Sequence, residues 1–337
     1  MVKLAQKVLA QSIHDNTRSS YRSATNHLIA LHKRIDAPFT FPVSPDTLCL
    51  WIADSAAKLR FPSIRVYLHG VATIQVEMGY PNPIKESPLV WRMFRAVKRL
   101  QGDSVRRQRL PITVSILSKI TPLLNTDDLN DLCTRAAMWL GTCGLLRSGE
   151  FTSGNHSPQI QHLTFYDEDN KVVDIKDFNH RAVTHMRLLI PASKTDPFRT
   201  GVIVTVGNPT AIRYMQIYLL KRPASLARLP LLAGPDGQPL TTSALVRATQ
   251  SLIERAGIPD AHLFLGHSFR KGGATSLHEA GNPDSLIRTM GRWASFAFAT
   301  YVETPLLMLI KAGQSMTNNI DQQASQPLAQ SFWDSLE

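Results

Sequence analysis

His267 and Arg270 stand three residues apart at the head of a predicted helix, so both can face one small anion with the helix's N-terminal amides behind them. Taken alone, the spacing favours a plain surface His and Arg, because a basic chain with eleven His supplies such pairs by chance. Arg147 follows the apolar stretch 138–146, and an always-charged guanidinium after a buried helix needs a partner. Glu150 could be simply that partner, or it could orient Arg147 toward an anionic substrate. Lys194 lies toward the tip of a predicted β-hairpin, where a Lys is ordinarily solvent charge. It could also reach into a site and donate a proton to a leaving oxygen, a part for which Lys171, Lys176 and Arg199 compete. Trp293 and Tyr301 follow; on residue type alone both are packing residues more often than chemical ones.

No other constellation competes. The chain lacks a phosphate-binding G-x-x-x-x-G-K-[ST] loop, a dinucleotide G-x-G-x-x-G, a G-x-S-x-G elbow and an H-E-x-x-H pair. His156, His162, His180 and His185 have no ligand spacing, and no carboxylate cluster suggests two-metal chemistry. Cys49, Cys133 and Cys143 form no C-x-x-C; they predict buried small hydrophobes in a reducing compartment. Neither a metal nor an organic cofactor is expected.

Charge points to the partner. Residues 1–110 carry 17 of the 37 Lys+Arg and 7 of the 26 Asp+Glu, a balance of +10 that leaves +1 for the remainder. So polarised a field suits a polyanion, although a merely soluble basic surface is the alternative. No apolar run approaches the roughly 18 residues of a membrane span, and the N-terminus does not read as a signal peptide. An apolar content of 43% is that of a globular chain, and 337 residues leave room for about two domains.

The elements that must position these residues follow from periodicity. Helices are predicted over 12–35, 46–58, from Ser63 to about Pro81, and over 87–101. They form an all-helical domain, 1–101. Arg18 and Arg22 at the start of the first helix, and Arg95, Lys98 and Arg99 on the fourth, are candidate phosphate contacts. Trp91, Phe94, Val97 and Leu100 are its predicted core. Residues 102–110 read as a basic linker, with Arg106, Arg107 and Arg109 as further DNA-contact candidates. A second domain, 111–312, opens with helices over 113–124 and 129–146. Four β-rich pieces follow, 161–166, 172–175, 184–190 and 202–206. Helices then resume over 208–221, 241–256, 267–280 and 283–290, the last capped by Asn282 and stopped by Gly291. A short helix after Ser295 would carry Tyr301. The tail 313–337 places Leu328, Phe332, Trp333 and Leu336 at helical spacing, a stripe too short to stand alone, so a docking helix is expected there.

Taken together, the words GLLRSGE (144–150), SKTD (193–196), HSFRKGGAT (267–275) and GRWAS (291–295), followed by Tyr301, resemble the tyrosine recombinase (phage integrase) family in type and order. The third and fourth words look most like recombinases of eukaryotic mobile elements, the Crypton type and related retroelements. The likeness spans about 145–305. Trp293 stands where many members have His, and Trp donates one hydrogen bond through its indole N–H.

The resemblance implies a mainly α fold with a small β-sheet: a helical core-binding domain followed by a mixed α/β tyrosine-recombinase catalytic domain. It implies a catalytic set of Arg147, Lys194, His267, Arg270, Trp293 and Tyr301, with Glu150 in support. Tyr301 would attack a DNA phosphate and keep its bond energy as a phosphotyrosyl link. Arg147 and Arg270 would clamp the non-bridging oxygens, and Lys194 would protonate the leaving 5′-oxygen. Neither metal nor ATP is required by such a site. The expected partner is double-stranded DNA, clamped between the two domains and bound by a homo-tetramer with a dimer on each site. A eukaryotic host would place the protein in the nucleus, another host in the cytoplasm or nucleoid. A type IB topoisomerase shares the chemistry, and a domesticated, non-catalytic DNA-binding protein is the alternative outside enzymes; the intact residue set argues against the latter.

Overall fold

The computed structural model of the chain describes residues 15–102, 109–154, 157–191 and 200–293, with Val8, Ser12, Ile13 and Ile310. Lys194, Tyr301, Arg106, Arg107, Arg199 and His156 lie outside the described residues, as do the expected helix after Ser295 and the C-terminal tail. The chain divides into two compact units, Met1–Arg107 and Gln108–Glu337.

The first unit is helical throughout its described residues. It comprises α1 (Asp15–Arg34), α2 (Pro45–Ala56), α3 (Phe61–Glu77), the single turn α4 (Pro83–Glu86) and α5 (Pro88–Gln101). Prolines open four of them, where a missing N–H loses no helical bond. Ser44, Asn82 and Ser87 cap three of those starts with side-chain oxygens. The core joins Ala24 and Leu28 of α1, Leu48, Trp51 and Ile52 of α2, Ile64, Leu68 and Val71 of α3, and Val90, Phe94 and Val97 of α5. Gln101 staples the unit: its Oε1 accepts from the Phe61 N–H, and its Nε2 donates to the Ala56 and Leu59 carbonyls. The stripe predicted on α5 is half right. Phe94 and Val97 are buried, but Trp91 and Leu100 are exposed, because α5 lies against the other helices on one narrow side only. Arg22, Arg95, Lys98 and Arg99 are exposed, and Arg18 pairs with Glu77 at 3.6 Å.

The second unit is built around α7 (Leu129–Cys143), buried at every position from Leu132 to Thr142. Before it come α6 (Val114–Ile120) and a 3₁₀ turn, Thr121–Leu123. After it come, among the described residues, the single turn α8 (Ser148–Phe151), four strands and four longer helices. The strands β1 (Leu163–Tyr166), β2 (Val172–Val173), β3 (His185–Ile190) and β4 (Val202–Val206) form one antiparallel sheet in the order β2-β1-β3-β4. The helices are α9 (Pro209–Lys221), α10 (Thr242–Arg255), α11 (Ser268–Glu279) and α12 (Asp284–Gly291). Helices α9, α10 and α11 pack on α7, so a mainly helical fold with a small sheet is what the molecule has.

Several predicted boundaries move, among them the strand expected over 161–166, which begins at Leu163 after a 3₁₀ turn at Ile160–His162. The helix expected to run to Leu146 ends at Cys143; Gly144 caps it, and Leu145 takes a left-handed φ of 47°. The strand expected over 172–175 stops at Val173, and Ile175 begins a 3₁₀ turn. Asn282 does not cap α12. Its Nδ2 donates back to the Leu277 carbonyl, and Pro283 holds the cap position instead.

Candidate active site

The reversal at Leu145 delivers Arg147 to the N-cap of α8, one turn from Glu150. The buried Glu150 carboxylate accepts the Arg147 N–H at 2.9 Å and Arg147 Nη1 at 2.7 Å. The pairing that the sequence offered for Arg147 is present. The ion pair engages Nη1 of the guanidinium, while the side chain stays 23% exposed.

Arg270 arrives from 125 residues away. It is fully buried on α11, where Nη1 donates to the Leu145 carbonyl at 2.8 Å and Nη2 to the Gly291 carbonyl. The Trp293 ring covers it, 4.2 Å from the guanidinium carbon to the ring centroid. Two glycines let α11 come this close. A Cβ on Gly272 would lie 1.8 Å from the Ile112 carbonyl oxygen, and one on Gly273 would lie 2.1 Å from that of Thr142. The strap 109–114 is stitched along the same helix. Leu110 and Ile112 donate N–H to the Leu263 and Ser268 carbonyls, Val114 donates to Ser276 Oγ, and Lys271 Nζ donates to the Arg109 carbonyl.

His267 precedes α11 as its N-cap residue and is exposed. Its neighbour Gly266 abuts Ser148: an added Cβ there would meet Ser148 Oγ at 2.6 Å. His267 thus sits beside the Arg147 turn. The expectation that His267 and Arg270 present together on one face is only partly met, because one lies outside the helix at the surface and the other is sealed within it.

Arg292 is the residue that sequence reading passed over. Its Nη2 donates to Glu150 Oε2 at 2.7 Å and to the Leu145 carbonyl at 3.4 Å. Its backbone is left-handed, φ 57° and ψ 44°, and ends α12 in place of the expected Gly291. Gly291 is needed for a different reason: a Cβ there would sit 1.6 Å from the Trp293 ring. The available signal was a charged residue directly after a helix-ending glycine. Burial pulls the Arg292 guanidinium below its ordinary pKa; Glu150 opposes that shift and Arg147 adds to it. An open cavity of about 520 Å³ lies against Arg292 and Trp293 and is also lined by Ser285, Arg288 and Thr289.

Arg147, Arg270 and Arg292 therefore converge on one carboxylate and one carbonyl: three positive charges against one negative. In a half-buried setting such an excess favours an anion. A phosphate with two non-bridging oxygens matches planar guanidinium donors. Among the described residues no group of His, Cys, Asp and Glu could hold a metal ion, and no helix is long and apolar enough to cross a membrane.

No family model matches the chain. It is 25% identical over 289 residues to an integrase/recombinase xerD homolog of Selenomonas ruminantium, covering 81% of this chain and 76% of that one. Its fold is similar to that of the XerH site-specific recombinase in a post-cleavage complex with a palindromic difH substrate (TM-score 0.59, 14% identity, 88% of this chain and 78% of that one). It is also similar to the Tn1549 transposon integrase in complex with transposon right-end DNA (TM-score 0.57, 12% identity, 90% and 95%). A third likeness is to a lambda integrase dimer bound to a core site (TM-score 0.55, 15% identity, 90% and 94%). In fold the chain is therefore similar to these recombinases and integrases, and in sequence to the xerD homolog.

Proposed function

We propose that this chain is a site-specific DNA recombinase that cuts and rejoins duplex DNA through a 3′-phosphotyrosyl intermediate. The observation that carries this reading is the cluster of Arg147 and Arg292 on Glu150, with Arg270 joined to it through the Leu145 carbonyl that Arg292 shares. Tyr301 Oη attacks the scissile phosphorus, forming the phosphotyrosyl bond as the bond to the 5′-oxygen breaks. Lys194 gives its proton to that oxygen, and His267 assists proton transfer or donates a hydrogen bond. Arg147 and Arg270 hold the charge that builds on the non-bridging oxygens, with the Trp293 indole N–H as a further donor. Attack by the 5′-hydroxyl of a second strand reverses these steps. Bond energy is conserved, so ATP is not required, and the guanidinia supply the charge stabilisation that a metal supplies elsewhere.

The exposed Arg22, Arg95, Lys98, Arg99 and Arg109, with Arg18, Arg106 and Arg107, would contact the DNA backbone. Homo-tetrameric assembly, with a dimer on each site, fits strand exchange between two duplexes, and the apolar stripe of the tail offers a docking element for it. The finer assignment, a mobile-element recombinase of Crypton type, is supported by the words at 267–275 and 291–295.

Covalent capture tests the reading. Wild-type protein incubated with nicked suicide duplexes, drawn from a randomised-site pool, should accumulate a 3′-phosphotyrosyl adduct. Tyr301→Phe should form none yet still bind the selected DNA. An undiminished adduct with Tyr301→Phe would show that another residue is the nucleophile.

A further inference from the structure

We propose that Arg292 is a positioning residue of the phosphate clamp, which keeps Arg147 cationic toward substrate by taking half of Glu150's charge. The inference rests on the strand-transfer reading above. Glu150 Oε1 serves Arg147 Nη1 and Oε2 serves Arg292 Nη2, both at 2.7 Å. One carboxylate cannot neutralise two guanidinia, so the trio carries a net positive charge where the phosphate must sit. Without Arg292, Glu150 would cancel Arg147, and the edge presented to substrate would lose its attraction.

The backbone links the same residue to the second half of the clamp. The Arg292 N–H closes α12 on the Thr289 carbonyl at 3.0 Å, and the next N–H, of Trp293, donates to the Arg288 carbonyl at 3.1 Å. The side-chain bond to Glu150 thus fixes the turn that lays the Trp293 ring over Arg270. Both arginines of the clamp depend on where Arg292 is held. The position is one where a helix ordinarily ends in Gly or Asn, and a left-handed Arg persists only when its surroundings over-determine it. Its Nη1 is buried without a hydrogen-bond partner among the described residues, which keeps one donor in reserve within the site.

A strut with no part in charge would give the same contacts, so the test must separate the two. Single-turnover adduct formation is measured for wild type, R292Q and R292K on the selected suicide duplex. It is repeated on the same duplex carrying a neutral methylphosphonate at the scissile position, and each variant is melted in parallel. R292Q should form adduct about 10- to 100-fold more slowly on the natural phosphate, less than the roughly 10²–10³-fold of a lost donor that touches the oxyanion itself. On the methylphosphonate its deficit should shrink to a few-fold, because less charge then needs stabilising. R292K keeps the charge and should stay within about threefold of wild type on both substrates. Equal deficits for R292Q on both substrates, or an R292K deficit of tenfold or more, would overturn the inference in favour of a strut. Should R292Q not fold, the R292K rate decides alone by the same limits. A wild-type rate for R292Q overturns this inference while leaving the strand-transfer reading intact. A wild-type chain that captures no DNA overturns both.

Discussion

Arg147 and Arg270 are tied into the protein in different ways, and their substitutions should fail differently. Arg147 spends one edge on Glu150, which keeps Arg292 as a partner if Arg147 is removed. Arg147→Ala should therefore lower cleavage on the order of 10²-fold or more while shifting the melting temperature by no more than about 4 °C. Arg270 instead satisfies the Leu145 and Gly291 carbonyls from the interior. Arg270→Ala should lose cleavage to the same degree and also destabilise by about 1–3 kcal/mol for the Gly291 carbonyl it leaves without its guanidinium, the Leu145 carbonyl keeping Arg292. Single-turnover rates beside thermal melts check both, and equal melting shifts would refute the distinction. The sequence disclosed Arg147, Arg270 and Trp293 because residue type and word order carry them. Arg292 was hidden because its role depends on a helix end that tertiary contacts set: Gly291 looked like the stop, whereas the Trp293 ring requires a glycine there.

The GG pair at 272–273 reads as permissive in sequence and is restrictive in the fold. Each glycine faces main chain, Ile112 on one side of α11 and Thr142 on the other, which cannot yield as a side-chain tip can. Gly272→Ala and Gly273→Ala should each destabilise by at least the roughly 1–3 kcal/mol of an overpacked core. They should lower cleavage too, by shifting Arg270. Gly149→Ala, with nothing within 4 Å of its Cβ position, should change stability by less than about 1 kcal/mol. Chemical denaturation of the three variants decides, and a benign Gly272→Ala would mean that the strap is not held as described. Elements governed by local chemistry were legible: β4 spans 202–206 as its β-branched run predicts, and Ser44 and Ser87 start helices beside prolines. Illegible was the left-handed Leu145. Leucine carries no signal for that conformation, and its carbonyl is held by two arginines more than 120 residues away.

Over the whole molecule, the proposed function and the balance of +10 against +1 lead us to expect most of the sequence-independent DNA attraction from residues 1–110. Replacing Arg95, Lys98 and Arg99 with Gln in the full chain should flatten the log–log salt dependence of DNA binding by about 0.9 for each phosphate no longer neutralised. An unchanged slope would move the DNA surface elsewhere. The same preparations separate recombinase from topoisomerase: relaxation of any supercoiled plasmid by a monomer would favour the latter, and dependence on a selected site the former. The helical first unit and the mainly helical second unit were both legible from periodicity, whereas the stitching of the strap 109–114 to α11 was not, since no local pattern encodes a pairing across some 150 residues. That stitching has a consequence for how the chain is made. Bringing segments so far apart in sequence together is the slow part of folding, because loop closure precedes any reward from contact. Synthesis runs from the N-terminus, so the basic unit emerges first, while Arg147 waits for residues 263–293 before its surroundings exist. A ribosome-bound or prematurely terminated chain can hold the basic part and lack the arginine cluster altogether.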